Sequence, residues 1–358
     1  MKTLHVITSL YTGGAETLVV NLIPRFWALG YDVDVVVFNA EQTPLMDFLE
    51  RECPKCNIYR LGHSYYNPWY IFMLIRIMRN YDVVHTHNSS PQLFAAIANI
   101  ICRKILVTTE HNTYNRKRGN RLLSLIDKWM YSRYNKIVCI SDQAEENIRS
   151  YLHVDRSNKT RICTIFNGVD VRLLSGAKPI DVYRSGRFVV VMVAAFRRQK
   201  DHKTLIKAMT LLPKGEYELW LVGDGECYEE IKQYVRELHA DTFVKFWGNR
   251  TDVPNILKAA DVVVLSTHYE GLSLANIEGM ASGKPFIATD VEGVHEVTDD
   301  YGILVAHENP DALAKAIQLL HDDKIYYQKI VGKCLERARQ FDINEVVNKY
   351  NELYLSLF

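Results

Sequence analysis

The chain has 358 residues, 48% of them hydrophobic and 24% charged, with a net charge of +1. That length and apolar content support two cores of about 150–200 residues each and exclude a disordered segment or a small stapled domain. The charge is uneven: residues 1–175 carry 21 Lys and Arg against 15 Asp and Glu, whereas residues 176–358 carry 22 against 27. The first half is therefore suited to an anionic partner, and no nucleic acid is expected. Seven scattered cysteines point to a reducing compartment. Cys53-Pro-Lys-Cys56 has no second pair, so it does not read as a metal site. The start lacks a signal peptide's apolar core, and no stretch of about 20 apolar residues occurs. A cytoplasmic protein is expected, with any membrane contact peripheral on the inner face.

In chain order, residues 3–8 read as a short strand that runs through Ser9-Leu-Tyr-Thr-Gly13-Gly14 into an amphipathic helix, where glycines let backbone approach a ligand. Residues 30–38 form a second strand. Its Asp32-Val-Asp34 opens a buried strand rather than a loop, which argues against a metal-binding pair. Residues 82–87 form a strand ending in His85 and His87, two positions on one face; without a third ligand nearby they read as pocket-wall histidines. Residues 105–112 are another strand, ending in Glu110-His111-Asn112, and residues 137–141 close the sheet. A polar linker is expected at 174–187.

The alternation then restarts. Residues 188–195 are a buried strand followed by the basic loop Phe196-Arg197-Arg198-Gln199-Lys200-Asp201-His202 and a helix over 203–212. Such a loop suits phosphate, with Lys as a point charge and Arg as a bidentate fork. Gly223-Asp-Gly225 follows a strand but lacks the third glycine of a dinucleotide fingerprint. Residues 261–266 are an apolar strand, and residues 274–282 a helix with Ser273 as N-cap, closed by Gly283 and Pro285. A helix start at the carboxyl end of a parallel strand favours an anion, and Glu270 and Glu278 would flank it. Two helices, over 310–340 and 344–357, end the chain.

The run Glu270-Gly-Leu-Ser-Leu-Ala-Asn-Ile-Glu278-Gly-Met-Ala-Ser-Gly-Lys-Pro285 resembles the E-x7-E signature of retaining GT-B glycosyltransferases, specifically glycosyltransferase family 4. The following Glu292-Gly-Val-His-Glu296 is similar to the family's Gly-Gly-x-x-Glu segment, with Glu292 in place of the first Gly. The resemblance implies that Glu278 binds the nucleotide ribose, that Glu270 contacts the donor sugar, and that the backbone at Ser273 and Leu274 holds the diphosphate. It likewise implies that Gly13 and Gly14 border donor phosphate and acceptor, and that His111 orients the donor sugar. Gly223 would belong to the family's Gly-x-Gly turn, and Trp247 and Gly248 to the segment whose backbone reads the nucleobase. Lys200 stands at the Lys of the family's Arg-x4-Lys pair. Ala195 replaces its Arg, which leaves Arg197 to reach the same phosphate.

The implied fold is α/β of the GT-B type: two Rossmann-like domains with parallel sheets facing an interdomain cleft. The expected division is an acceptor domain over 1–174, with the terminal helix 344–358 packing back on it, and a donor domain over 175–343. The implied reaction moves a sugar, with retention and without a metal, from a nucleotide-diphosphate sugar to an acceptor hydroxyl in polysaccharide or glycolipid synthesis. A UDP-sugar is favoured over a GDP-sugar, no cofactor is needed, and the acceptor is a glycan or lipid-linked glycan. The alternatives are a nucleotide-sugar epimerase or a non-catalytic binder of the same fold. Aromatic and basic residues from Tyr65 to Arg79, and again from Arg116 to Lys136, suggest an anionic membrane surface as a further partner.

Overall fold

A computed structural model describes all residues except Thr12, 112–120, 156–160, 181–185 and Leu272, and the side chains of residues 121 and 122. The chain forms two compact units, Met1–Asn167 with Ile343–Phe358, and Gly168–Asp342.

The first unit alternates strand and helix: β1 (Lys2–Ile7), α1 (Gly14–Ala28), β2 (Asp32–Val37), α2 (Pro44–Glu52), β3 (Ile58–Arg60), α3 (Trp69–Met78), β4 (Val83–His87), α4 (Ser89–Cys102), β5 (Ile105–Glu110), α5 (Arg121–Ser132), β6 (Lys136–Cys139), α6 (Asp142–Leu152) and β7 (Ile162–Thr164). The strands pair in parallel in the order β3-β2-β1-β4-β5-β6-β7. Near-continuous β-branched runs such as Asp-Val-Asp-Val-Val-Val suit a sheet covered on both faces. Two buried clusters supply that cover, one including Leu18, Val19 and Phe26, the other Leu74, Phe94 and Tyr131. Asp34 is a structural residue: its carboxylate accepts from the Asn57 backbone at 2.7 Å and from the Tyr81 hydroxyl at 2.5 Å.

The second unit runs α7 (Val171–Gly176), β8 (Phe188–Val193), α8 (His202–Thr210), β9 (Tyr217–Val222), α9 (Tyr228–Glu237), β10 (Val244–Gly248), α10 (Val253–Ala259), β11 (Val262–Leu265), α11 (Leu274–Ala281), β12 (Phe286–Thr289), α12 (His295–Thr298), β13 (Ile303–Val305), α13 (Pro310–Asp322) and α14 (Lys324–Arg339). Its sheet is parallel in the order β10-β9-β8-β11-β12-β13. Two sequence expectations shift here. The division falls at Asn167–Gly168 rather than at 174, because α7 packs on α10 and α11 and the Val169 amide bonds the Phe341 carbonyl at 3.0 Å. The single helix expected over 310–340 is two, since Asp323 ends α13 and caps α14 by accepting from the Tyr326 amide at 2.8 Å.

The last helix, α15 (Ile343–Leu355), belongs to the first unit and packs on α1. Tyr350 and Tyr354 are fully buried there. The Tyr354 hydroxyl lies 2.5 Å from His85 Nδ1, and the Tyr350 hydroxyl 3.1 Å from Thr109 Oγ1. Tyr354→Phe leaves a buried imidazole nitrogen unpaired and is expected to cost about 1–3 kcal/mol in denaturant unfolding. An unchanged midpoint would mean that the hydroxyl does not tie the helix down.

Candidate functional site

In each sheet the strand order reverses once, between β1 and β4 in the first unit and between β8 and β11 in the second. Ligands of open parallel sheets bind beyond the carboxyl ends of strands at such a reversal. In the second unit the two loops that leave this point carry the predicted charged residues. Lys200 follows β8 and Glu270 follows β11, and the two side chains form an ion pair, with only 13% and 8% of each exposed.

Local structure fixes that pair. The two loops meet through an isolated bridge between Lys200 and Thr267, and the Asp201 amide bonds the Ser266 carbonyl at 3.0 Å. Thr267 Oγ1 donates to Glu270 Oε1 at 2.9 Å, while Gln199 Nε2 donates to the Tyr269 carbonyl at 2.6 Å. Glu270 is also held from behind. Its amide bonds the Glu292 carbonyl at 3.2 Å, and Gly293, at φ +79°, sits so close that a Cβ would fall 2.2 Å from the Gly271 carbonyl. No other residue fits Gly293's place without moving the Glu270 loop.

Glu278 projects from α11 one turn beyond Leu274. It is half-buried and has no hydrogen-bond or ionic partner among the described residues, and burial pushes its carboxyl up to about 6. Ser273 is the helix's N-cap but makes no side-chain cap bond; it is 6% exposed. Gly279 brings α11 against the sheet, since a Cβ there would meet Phe286 at 2.5 Å. Arg197 and Arg198 are exposed and line one groove with Lys200, Lys203 and Glu230. Lys203 pairs with Glu230 at 2.6 Å. Gly223 and Gly225, at φ +140° and +156°, pass so close to the Ala194 and Phe196 carbonyls that a Cβ would fall at 2.1 and 2.6 Å. Trp247 packs against buried Trp220 with ring centroids 5.0 Å apart and planes tilted by 53°, its Nε1 is buried without a partner among the described residues, and the Gly248 carbonyl accepts from the Gly223 amide at 2.8 Å.

The remaining predicted residues lie in the first unit. Gly13 caps α1 in extended backbone and Gly14 opens it. His111 follows β5; its Nε2 is 3.0 Å from His87 Nδ1, and its buried Nδ1 has no partner among the described residues. One expectation fails here. His85 and His87 do have a third imidazole beside them, because His5 on β1 is in register with His85 on β4. The ring nitrogens are largely engaged: His5 Nδ1 contacts His87 Nε2 at 3.0 Å, and His85 Nε2 contacts Thr109 at 2.7 Å. The second basic cluster begins at Arg116, Lys117 and Arg118, which lie outside the described residues. Reading the sequence alone misses the brace of Gln199, Thr267 and Gly293 around Lys200 and Glu270, because it joins three loops that are distant in the chain.

The chain resembles known proteins along nearly its whole length. Residues 12–173 match the model of Glycosyltransferase Family 4 and residues 179–339 that of Glycosyl transferases group 1. The chain is 28% identical over 303 residues to an Escherichia coli UDP-Gal:alpha-D-GlcNAc-diphosphoundecaprenol alpha-1,3-galactosyltransferase, covering 77% of this chain and 76% of that one. It is 27% identical to the N-acetyl-alpha-D-glucosaminyl L-malate synthase of Bacillus anthracis, covering 77% and 74%. The crystal structure of Anabaena Alr3699/HepE in complex with UDP-glucose superposes with a TM-score of 0.82 at 20% identity, covering 99% of this chain and all of that one. The two family models, which between them span nearly all of the chain, and the shared two-sheet architecture make this protein a GT-B glycosyltransferase of family 4.

Proposed function

We propose that the enzyme transfers a hexose from a UDP-sugar, with retention, to a hydroxyl of a glycan or lipid-linked glycan, and that the transfer needs no metal ion. The observation that carries this reading is the paired Lys200 and Glu270 at the strand-order reversal, with Glu278 on the next helix lacking a partner among the described residues. The donor's diphosphate would meet Lys200, Arg197 and the backbone at Ser273 and Leu274; its ribose would meet Glu278 and its sugar Glu270 and His111. Trp247 and Gly248 would lie at the base, Gly223 beneath the nucleotide, and Gly13 and Gly14 by the phosphate and acceptor. Cationic side chains stabilise the leaving phosphate, which itself takes the acceptor proton, so no protein nucleophile is required. Support for the donor and acceptor comes from the named relatives, whose own substrates include UDP-Gal and a diphosphoundecaprenol-linked sugar.

Incubating the protein with a UDP-sugar, with and without a diphosphoundecaprenol-linked sugar, tests the reading. Transfer that requires the acceptor supports it. Appearance of an epimer with donor alone favours an epimerase, and binding without turnover favours a sensor. Glu278→Ala is expected to raise donor KM about tenfold by removing a carboxylate acceptor, with kcat little changed. Because this carboxyl titrates near 6, it loses its charge as pH falls through that value. Donor KM should therefore rise on acidification from pH 7.5 to 5 in the parent protein and stay flat in Glu278→Gln.

The acceptor side of this reading includes an anionic membrane. Trp69 and Phe72 on α3 are 65% and 62% exposed with ring centroids 5.1 Å apart, Tyr65 and Tyr66 precede them, and Arg76 and Arg79 are exposed on the same helix and just after it. They are not core residues. No helix among the described residues is long and apolar enough to cross a membrane. Aromatic side chains with neighbouring basic residues suit an interface that carries acidic headgroups, at roughly 1 kcal/mol per basic residue. Sedimentation with vesicles containing phosphatidylglycerol should retain the protein, and Trp69→Ser with Phe72→Ser should release it. Equal absence from anionic and neutral vesicles overturns the docking.

A further inference from the structure

The second unit contains a cluster to which the proposed transfer gives no role, although two of its members, Asp201 and His268, line the same groove as Arg197 and Lys200. Asp201, His268 and His307 each offer a ligand atom, all within 4.8 Å of one another. Three different loops bring them together: Asp201 caps α8, His268 follows β11 and His307 follows β13. The His268 amide bonds the Gln199 carbonyl at 2.9 Å, which anchors that loop beside Asp201. His268 Nδ1 lies 2.7 Å from His307 Nε2, with the two rings nearly perpendicular at 85°. Glu308 Oε1 stands 3.5 Å from His268 Nδ1 and 3.9 Å from His307 Nε2.

Asp201 carries the independent observation. It is 6% exposed, and its Oδ1 accepts from the Thr204 amide at 3.1 Å as the cap of α8. Its Oδ2 is buried with no partner among the described residues. A buried carboxylate oxygen left unpaired is costly, and a carboxylate oxygen of Asp201 lies within 4.8 Å of a ring nitrogen of each imidazole. Two imidazoles and two carboxylates are a mixed N/O donor set that suits Zn2+, Co2+ or Ni2+ over Mg2+ or Ca2+. Charge agrees. Lys200 is paired with Glu270 and Lys203 with Glu230; Arg197 and Arg198 line the same groove but are exposed, and Asp201 and Glu308 supply two negative charges for a dication. His268 and His307 are about a third exposed, so an ion has a path in.

The three-histidine cluster of the first unit is the weaker candidate. It is fully buried, its nitrogens mostly have partners, and it contains no carboxylate to offset two positive charges.

We propose that Asp201, His268 and His307, with Glu308, form a site for one divalent transition-metal ion. It clamps the loop that carries Glu270 to the start of α8 and to the loop before α13. The ion is a structural brace, not a participant in transfer, and the site stands whether or not the transferase reading does, because its readout is metal binding.

The test uses the full-length protein stripped with EDTA and dialysed. Titration with Co2+ should give a visible ligand-field band that saturates at one equivalent, and Zn2+ should displace it and raise the melting temperature. His307→Gln and Asp201→Asn, the second of which keeps the acceptor that caps α8, should each weaken Zn2+ binding at least tenfold in calorimetry. His321→Gln, at a partly exposed histidine beside Asp322, should leave it unchanged. Undiminished binding in the first two variants, loss in the third, or no saturable Co2+ band overturns the site. Turnover of His307→Gln in EDTA separates the two ideas: activity retained there fits a brace, while activity lost there and restored by Mn2+ overturns metal-independent transfer and leaves the binding result standing.

Discussion

Replacing Lys200 by Ala is expected to lower kcat by about 10- to 150-fold, with a smaller change in donor KM. The magnitude follows from one charge-assisted hydrogen bond, about 1.5–3 kcal/mol, made most strongly to the charge that develops on the leaving phosphate. A helix start contributes less, about 0.3–1 kcal/mol, so loss of Lys200 outweighs any single change at Ser273 or Leu274. Arg197 is exposed, which makes it the more dispensable cation of the two. The substitution also removes the partner of the buried Glu270, which keeps only the Thr267 hydroxyl and the backbone bond to Glu292. Melting of Lys200→Ala therefore needs to be compared with that of Lys200→Arg. The Arg variant keeps the charge and should recover stability, but its planar fork recovers turnover only in part. A kcat within threefold of the parent would remove Lys200 from the chemistry.

The fold was legible where local pattern and tertiary environment agree. Buried parallel strands read as unbroken apolar runs, so residues 188–195 and 261–266 announced β8 and β11 within two residues. The E-x7-E run is carried by eight residues of a single helix and the loop before it, and so survives in one dimension. Contacts between distant segments were not legible. That His5 completes a cluster with His85 and His87 depends on strand order, since β1 pairs with β4 across 80 residues of chain. The meeting of Asp201, His268 and His307 has the same cause: their loops follow β8, β11 and β13 of one parallel sheet, but nothing in their local sequence says how those strands are ordered. The misplaced division at 174 shows the opposite error, because the polar stretch was read as a linker while α7 had already joined the second core. Trp69 and Phe72 were ambiguous for a simpler reason. An apolar helix gives its period but not which of its faces another element covers.

Acidification should unfold the first unit well before the carboxylates titrate. His5, His85 and His87 are fully buried and His111 partly so, and desolvation lowers each: to about 3 for His5, about 4 for His111 and well below the usual value for the other two. In the folded unit they remain neutral, whereas in the unfolded chain each takes up a proton near pH 6.5. Their contribution is thus complete above pH 6.5 and is lost as pH falls below it, because the unfolded state then binds more protons. By pH 5.5 one such group costs about 1.4 kcal/mol, and four together cost about 6 kcal/mol, comparable to the whole stability of many domains. In the second unit His202, stacked at 4.3 Å on Phe196 and lowered to about 4 by burial, acts in the same direction alone. Glu278 there acts oppositely, since its raised carboxyl stabilises the folded state below about 6 and gives that up as pH rises through it. Two separable transitions should appear in urea at pH 5.5, with hydrogen exchange showing β1, β4 and β5 opening in the weaker one. Replacing His5 by Phe removes one titrating group and should shallow the pH dependence of that transition. Equal stability of the first unit at pH 8 and pH 5.5 would mean that these histidines are already charged in the fold, or hydrated enough to become so.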